Sequence, residues 1–168
     1  MRLPDQLKDL NVFGGNASFL GEVTTFTRPP MAITTEAHKG GGMLGEVQLQ
    51  LGLEAMEAEV KFGGDQTALN AEFGHPRIDG SMLRFVGAYQ RDDTGVVTTV
   101  EITTRGRYTE IDRGDDEKGG KTEASYKLAL VYYKEVVNGR VAFEIDFLKG
   151  IWIVNGVDRW KEIREAIQ

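Results

Sequence analysis

The segment Tyr126-Lys127-Leu128-Ala129-Leu130-Val131-Tyr132-Tyr133, the turn Val137-Asn138-Gly139-Arg140, and Val141-Ala142-Phe143-Glu144-Ile145-Asp146-Phe147 follow one another as strand, tight turn and strand. In the last of these, Val141, Phe143, Ile145 and Phe147 alternate with polar or small residues, the period of two that marks a half-buried strand. Asn-Gly is the pair preferred by two-residue type I′ turns, because both central residues need positive φ. The first segment is apolar at consecutive positions, which predicts a strand covered on both faces.

Working outward, the same period recurs. Val47, Leu49 and Leu51 alternate with Glu46, Gln48 and Gln50, and Leu83–Tyr89 and Val96–Thr104 flank the turn Arg91-Asp92-Asp93-Thr94-Gly95. Phe19–Thr27 and Met31–Ala37 are further strands, separated by Pro29-Pro30, which interrupts ladder pairing. Leu53–Val60 reads as strand from its neighbours, against the helix preference of its Glu and Ala residues. Two segments read as helix. Asp65–Phe73 places Leu69 and Phe73 four apart, with Asp65 as N-cap and Gly74 and Pro76 as stop. Val157–Ile167 aligns Val157, Trp160, Ile163 and Ile167 on one face. The expected fold is mainly β: a sandwich or barrel with one short inserted helix and a C-terminal helix. No repeat or linker divides the chain, so residues 1–168 are expected to form one domain.

Composition narrows the function classes. A formal charge of −6 argues against a surface that coats nucleic acid. The absence of cysteine removes disulfides, thiolate metal sites and thiol catalysis, and fits a reducing compartment. No apolar run follows Met1-Arg2-Leu3-Pro4-Asp5, so no signal peptide or membrane anchor is expected. Glycine occurs 21 times against 4 prolines, which points to many tight turns between strands.

Fragments that imitate active sites lack their context. Asp93-Thr94-Gly95 matches an aspartic-protease triplet but sits in a hairpin turn. Gly119-Gly120-Lys121-Thr122 resembles a phosphate loop, yet the required first glycine is Asp115 and a strand follows instead of a helix. His38 and His75 have no second ligand at a metal-binding spacing and are expected in exposed loops. Glu110, Asp112, Asp115, Asp116 and Glu117 lack calcium-loop spacing and are interrupted by Arg113, so a solvated loop is expected. The reading is of a non-enzyme without metal or cofactor.

Lys39-Gly40-Gly41-Gly42-Met43 followed by Val47–Glu54, then Phe85–Gly95, Arg105–Asp112, Tyr132-Tyr133, Glu144-Ile145-Asp146 and Val154–Arg159 form an ordered set along nearly the whole chain. In that order the set resembles the major tail tube proteins of contractile-tailed bacteriophages, a family that includes the tubes of R-type bacteriocins. The resemblance implies six copies closing into a ring and rings stacking into a hollow conduit for DNA delivery and envelope penetration. It further implies partners in the sheath, the baseplate or spike and the tape measure protein. DNA would pass without specific binding, and the subunit would sit in the virion tail after assembly in the host cytoplasm.

In that setting Lys39, Gly40, Gly41, Gly42 and Met43 are the candidate subunit-interface loop, because bare backbone lets a neighbour approach closely. The alternative is a flexible hairpin tip. Asp112, Asp115, Asp116 and Glu117 are the candidate lumen- or partner-facing acidic loop, since an acidic bore repels phosphates. The rival function is a closed β-barrel that binds a small ligand.

Overall fold

The computed structural model describes every residue from Met1 to Gln168. The elements in chain order are β1 (Asp5–Gly14), β2 (Ala17–Ser18), β3 (Val23–Thr27), β4 (Ile33–His38), β5 (Val47–Leu53), β6 (Met56–Phe62) and α1 (Thr67–Asn70). They continue with β7 (Ser81–Arg91), β8 (Val97–Asp112), β9 (Ala124–Val137), β10 (Arg140–Asp146), β11 (Ile151–Val154), β12 (Val157–Asp158) and α2 (Lys161–Ala166). The expected class, mainly β with a short inserted helix and a closing one, is what the chain adopts.

β9 organises the molecule. Along one edge it pairs with β8, and its other edge is shared between two strands. Ala124–Leu130 pair with β6, and Tyr132–Val137 pair with β10. The change of partner coincides with a slip in the β8–β9 register, where Gly106 lies opposite Leu130 and Arg105 opposite Tyr132. Val131 is the extra residue of this bulge. Leu130 and Val131 are therefore both buried, and the buried phase passes from Ala124, Tyr126, Leu128 and Leu130 to Val131, Tyr133 and Glu135. The consecutive apolar run thus records a change of phase at one core face. The expectation of cover on both faces is corrected, because Ser125, Lys127, Tyr132 and Lys134 on the other face are half-exposed.

From β8 the sheet continues through β7 to β1 and β2, and from β10 it continues to β11 and β12. The β6–β3 limb folds across the core. Phe26 of β3 stacks on Phe85 of β7 with ring centroids 4.6 Å apart, and the Phe19 amide donates to the Val12 carbonyl at 2.9 Å. These contacts close the sheet into a barrel-like sandwich filled by Phe62, Leu69, Leu83, Ile102, Tyr126 and Tyr133. The Tyr126 hydroxyl accepts from the Gln66 amide at 2.9 Å and donates to Asn70 Oδ1 at 2.9 Å, which ties α1 to the core.

Several local expectations change. β1 was not foreseen: Asp5, Lys8 and Asp9 blur its alternation, and a bulge between Leu7 and Asp9 breaks its register with β7. Phe19–Glu22 turns instead of extending, so only Val23–Thr27 of that segment is strand. Leu53–Val60 is strand on both sides of a break at Glu54-Ala55. α1 is only one turn long, and Asp65 does not cap it; Gln66 holds the cap position, and Asp65 instead accepts from Asn70 Nδ2 at 2.8 Å. α2 begins only at Lys161, because Val157-Asp158 pair with β11 across an Asn155-Gly156 turn. The Val137–Arg140 turn is as expected, with φ of 49° at Asn138 and 79° at Gly139.

Candidate assembly interface

The alternation Val47, Leu49, Leu51 does form a strand, but the core does not receive it. β5 pairs only with β4, and the two make a separate two-stranded sheet. Ile33, Val47, Leu49 and Leu51 stay 44% to 55% exposed, which means neither face of this arm is covered within the subunit. The expected half-buried character is therefore absent in the isolated chain. An isolated two-stranded hairpin is marginal in water. Both outer edges of the arm also present unpaired backbone groups, a state that monomeric proteins avoid.

The arm is anchored at its root. The Glu54 amide donates to the Ala32 carbonyl at 2.9 Å, and Gly52 takes φ of 142° beside the bulge opposite Thr34. Pro29 is buried just upstream, after Arg28, whose guanidinium donates to the Tyr89 hydroxyl at 2.6 Å and to Glu135 Oε1 at 3.3 Å. Tyr133 donates to the other oxygen of Glu135 at 3.0 Å. Burial, reinforced by that carboxylate, lifts the Tyr133 hydroxyl above its ordinary range. Arg28 and Glu135 thus fix the point at which the chain leaves the barrel.

Lys39, Gly40, Gly41, Gly42 and Met43 lie at the arm's free end, between β4 and β5. The Met43 amide donates to the Gly40 carbonyl at 3.3 Å, and the Gly40 amide points at Met43 Sδ at 3.0 Å. Met43 is folded into the turn, and Leu44 next to it is fully exposed. A Cβ at Gly41 would meet no atom within 4 Å, so no intramolecular contact demands glycine there.

The acidic loop is elsewhere. Asp112 ends β8 and its Oδ1 accepts from the Gly114 amide at 2.9 Å, while Asp115, Asp116 and Glu117 are exposed in the connection to β9. Arg113 reaches Asp65 at 3.4 Å. Asp112 pairs with Ser125 beside the Phe62 end of β6, whereas the arm leaves from the Met56 end. The acidic loop and the root of the arm are thus separated by the length of β6, about 20 Å. His38 is on β4 instead of in a loop, and His75 is half-buried with Nδ1 accepting from the Arg77 amide at 3.1 Å. A depression of about 550 Å3 lies over the Val131 bulge and is lined mainly by polar and charged side chains such as Arg105, Lys134 and Glu144. A small-ligand barrel would need an apolar interior cavity instead.

The exposed apolar residues of the arm were not among the candidate interface residues, although their alternation was visible. Alternation reports that one face seeks cover, not which molecule provides it.

Residues 4–167 match the family described as phage tail tube protein FII. The tail tube protein of Escherichia phage P2 is 36% identical over 170 residues, covering 99% of each chain. The major tail tube protein of Serratia phage KSP20 is 34% identical over 158 residues, covering 93% of this chain and 91% of its own. Among solved structures, a chain of the anti-feeding prophage baseplate superposes with a TM-score of 0.48 at 12% identity, over 76% of this chain and 90% of that one.

Proposed function

The chain belongs to the phage tail tube protein FII family and is a structural, non-enzymatic tail tube subunit, and from that premise we propose that its copies join through the β4–β5 arm. The observation that carries this reading is an arm with two open edges and an uncovered apolar face. Backbone pairing along an open edge supplies affinity, and alternate side chains set register. A head-to-tail contact of this kind closes into a ring when its rotation permits, and otherwise propagates. Six copies per ring, with rings stacked into a tube inside a contractile sheath, is the arrangement proposed, each copy acting as one domain over residues 1–168.

The glycines at 40–42 keep the tip narrow enough for a neighbour's backbone to approach. Asp112, Asp115, Asp116 and Glu117 face the lumen or a partner protein. A ring carrying six times the −6 of one chain repels phosphates, so DNA moves through without adhering. The tube sits in the virion tail with other tail components. Sheath, baseplate or spike, and tape measure protein are the proposed partners, met during assembly in the host cytoplasm.

Negative-stain microscopy of the purified protein tests this reading. Rings or tubes are expected from the wild type, and a folded, non-assembling subunit from Gly41→Val. A Gly41→Val protein that forms normal tubes would remove the tip from the interface, and a wild type that stays monomeric at high concentration would remove the whole reading.

A further inference from the structure

Two asparagines in the chain precede glycine, and Asn138-Gly139 and Asn155-Gly156 each form the two-residue turn of a hairpin. Their backbones are nearly identical: φ is 49° at both asparagines, 79° at Gly139 and 81° at Gly156. Both pairs are exposed, and both asparagines line one shared depression of about 530 Å3, so solvent reaches them alike. Each asparagine amide is anchored at 2.9 Å, Asn138 to the Thr99 carbonyl and Asn155 to the Ala142 carbonyl. The side chains differ. Asn138 Oδ1 accepts from the Thr99 amide at 3.0 Å, whereas no group of the chain holds the Asn155 carboxamide.

We infer that Asn155 is a site of spontaneous covalent modification, which deamidates ahead of Asn138 and releases α2 when the product is isoaspartate. The inference concerns the single subunit and does not rest on the tail-tube reading. Glycine after asparagine leaves the following amide without a side chain to shield it. Gly156 lies outside both strands, its amide donates to no acceptor, and a Cβ there would meet no atom within 4 Å. That nitrogen gives its proton to solvent base and bonds to Asn155 Cγ, while the Cγ–Nδ2 bond breaks and Nδ2 leaves as ammonia. Water then opens the succinimide at either carbonyl, giving aspartate or isoaspartate. At Asn138 the same attack must first break the bond from the Thr99 amide, which lowers the reactive population about fivefold. Isoaspartate routes the main chain through Cγ and so lengthens it inside a two-residue turn. β12 has only Val157 and Asp158 to hold its register with β11. Asp158 in turn accepts from Arg164 at 2.8 Å, the bond that fastens α2 to this hairpin. Losing the turn therefore frees the helix.

The test holds the purified protein in mildly alkaline buffer made with oxygen-18 water, then digests it and follows both peptides by mass spectrometry. Asn138 serves as the reference inside the same molecules. The Asn155 peptide should convert to aspartate and isoaspartate forms carrying one solvent oxygen, about fivefold faster than the Asn138 peptide. A rate ratio below about two, or faster loss at Asn138, overturns the site assignment. The release of α2 has its own readout, because both tryptophans of the chain, Trp152 and Trp160, stand 6.1 Å apart at this hairpin and helix. The aged protein, separated by ion exchange, is compared with Asn155→Asp protein, which has the same charge and an ordinary backbone. Tryptophan emission should lie at longer wavelength in the aged protein than in Asn155→Asp. Identical spectra overturn the release of the helix.

Discussion

At the scale of single residues, Gly106 carries a constraint that composition conceals. A Cβ there would lie 1.9 Å from the Ala129 carbonyl oxygen, which is backbone held in the β8–β9 ladder and has nowhere to move. Gly106→Ala is expected to cost about 3 kcal/mol, as overpacking against fixed atoms does, read as a lower urea midpoint. Gly41→Val should leave that midpoint unchanged, since the added side chain enters open space. Asp158 gives a pH dependence. The hydrogen bond from Arg164, more than any other influence, holds its carboxyl below the usual range. A folded pKa below the unfolded value of about 3.9 contributes stability that is complete above that pH and disappears as pH falls through the lowered value. Asp158→Asn should therefore be less stable than the wild type at neutral pH. The gap should narrow as pH falls below the unfolded value of about 3.9 and close once pH is below the lowered folded value, followed by circular dichroism in acid.

At the scale of elements, turn chemistry was the most legible signal. Asn138-Gly139 takes the two positive φ values its sequence calls for, and Gly139→Ala should cost about 1–2 kcal/mol, seen as a lower thermal midpoint. The β7–β8 turn was equally readable, with the Gly95 amide donating to the Arg91 carbonyl at 2.8 Å. Elements whose stability comes from elsewhere were read poorly. β1 is charged over its first half and is a strand because β7 offers it an edge. α1 survives as a single turn because Tyr126 and Leu69 pin it to the core, not because its own capping is good. The arm is the sharpest case. Replacing Ala32–Glu54 with a short Gly-Ser link should keep the barrel folded and shift its melting midpoint by no more than about 5 °C, because of those residues only Leu53 packs against the core.

At the scale of the whole molecule, the subunit reads as one part of a larger object. The barrel-like sandwich is well filled, while the arm and the apolar positions Val157, Ile163 and Ile167 are left facing outward. A protein designed to remain alone would blunt such edges and patches. Assembly should bury them together. Amide hydrogens of Thr34–His38 and Val47–Leu51 are expected to exchange quickly in the isolated subunit and at least a hundredfold more slowly in tubes, measured by hydrogen–deuterium exchange. Equal exchange in both states would show that the arm stays free after assembly.

The residues alone determined the fold class, the main hairpins and the absence of any recognisable catalytic set, because periodicity, Asn-Gly turns and missing ligand spacings are local properties. Their order along the chain also carried the family resemblance. Only the tertiary structure decided that Val47, Leu49 and Leu51 belong to an arm and not to the core. It also decided that the apolar run at Leu130-Val131 marks a bulge at one face, and that the root of the glycine-tipped arm and the acidic loop lie at opposite ends of β6. The reason is physical. Alternation states that a face seeks cover, while long-range pairing chooses the covering surface and leaves the arm without one inside the subunit.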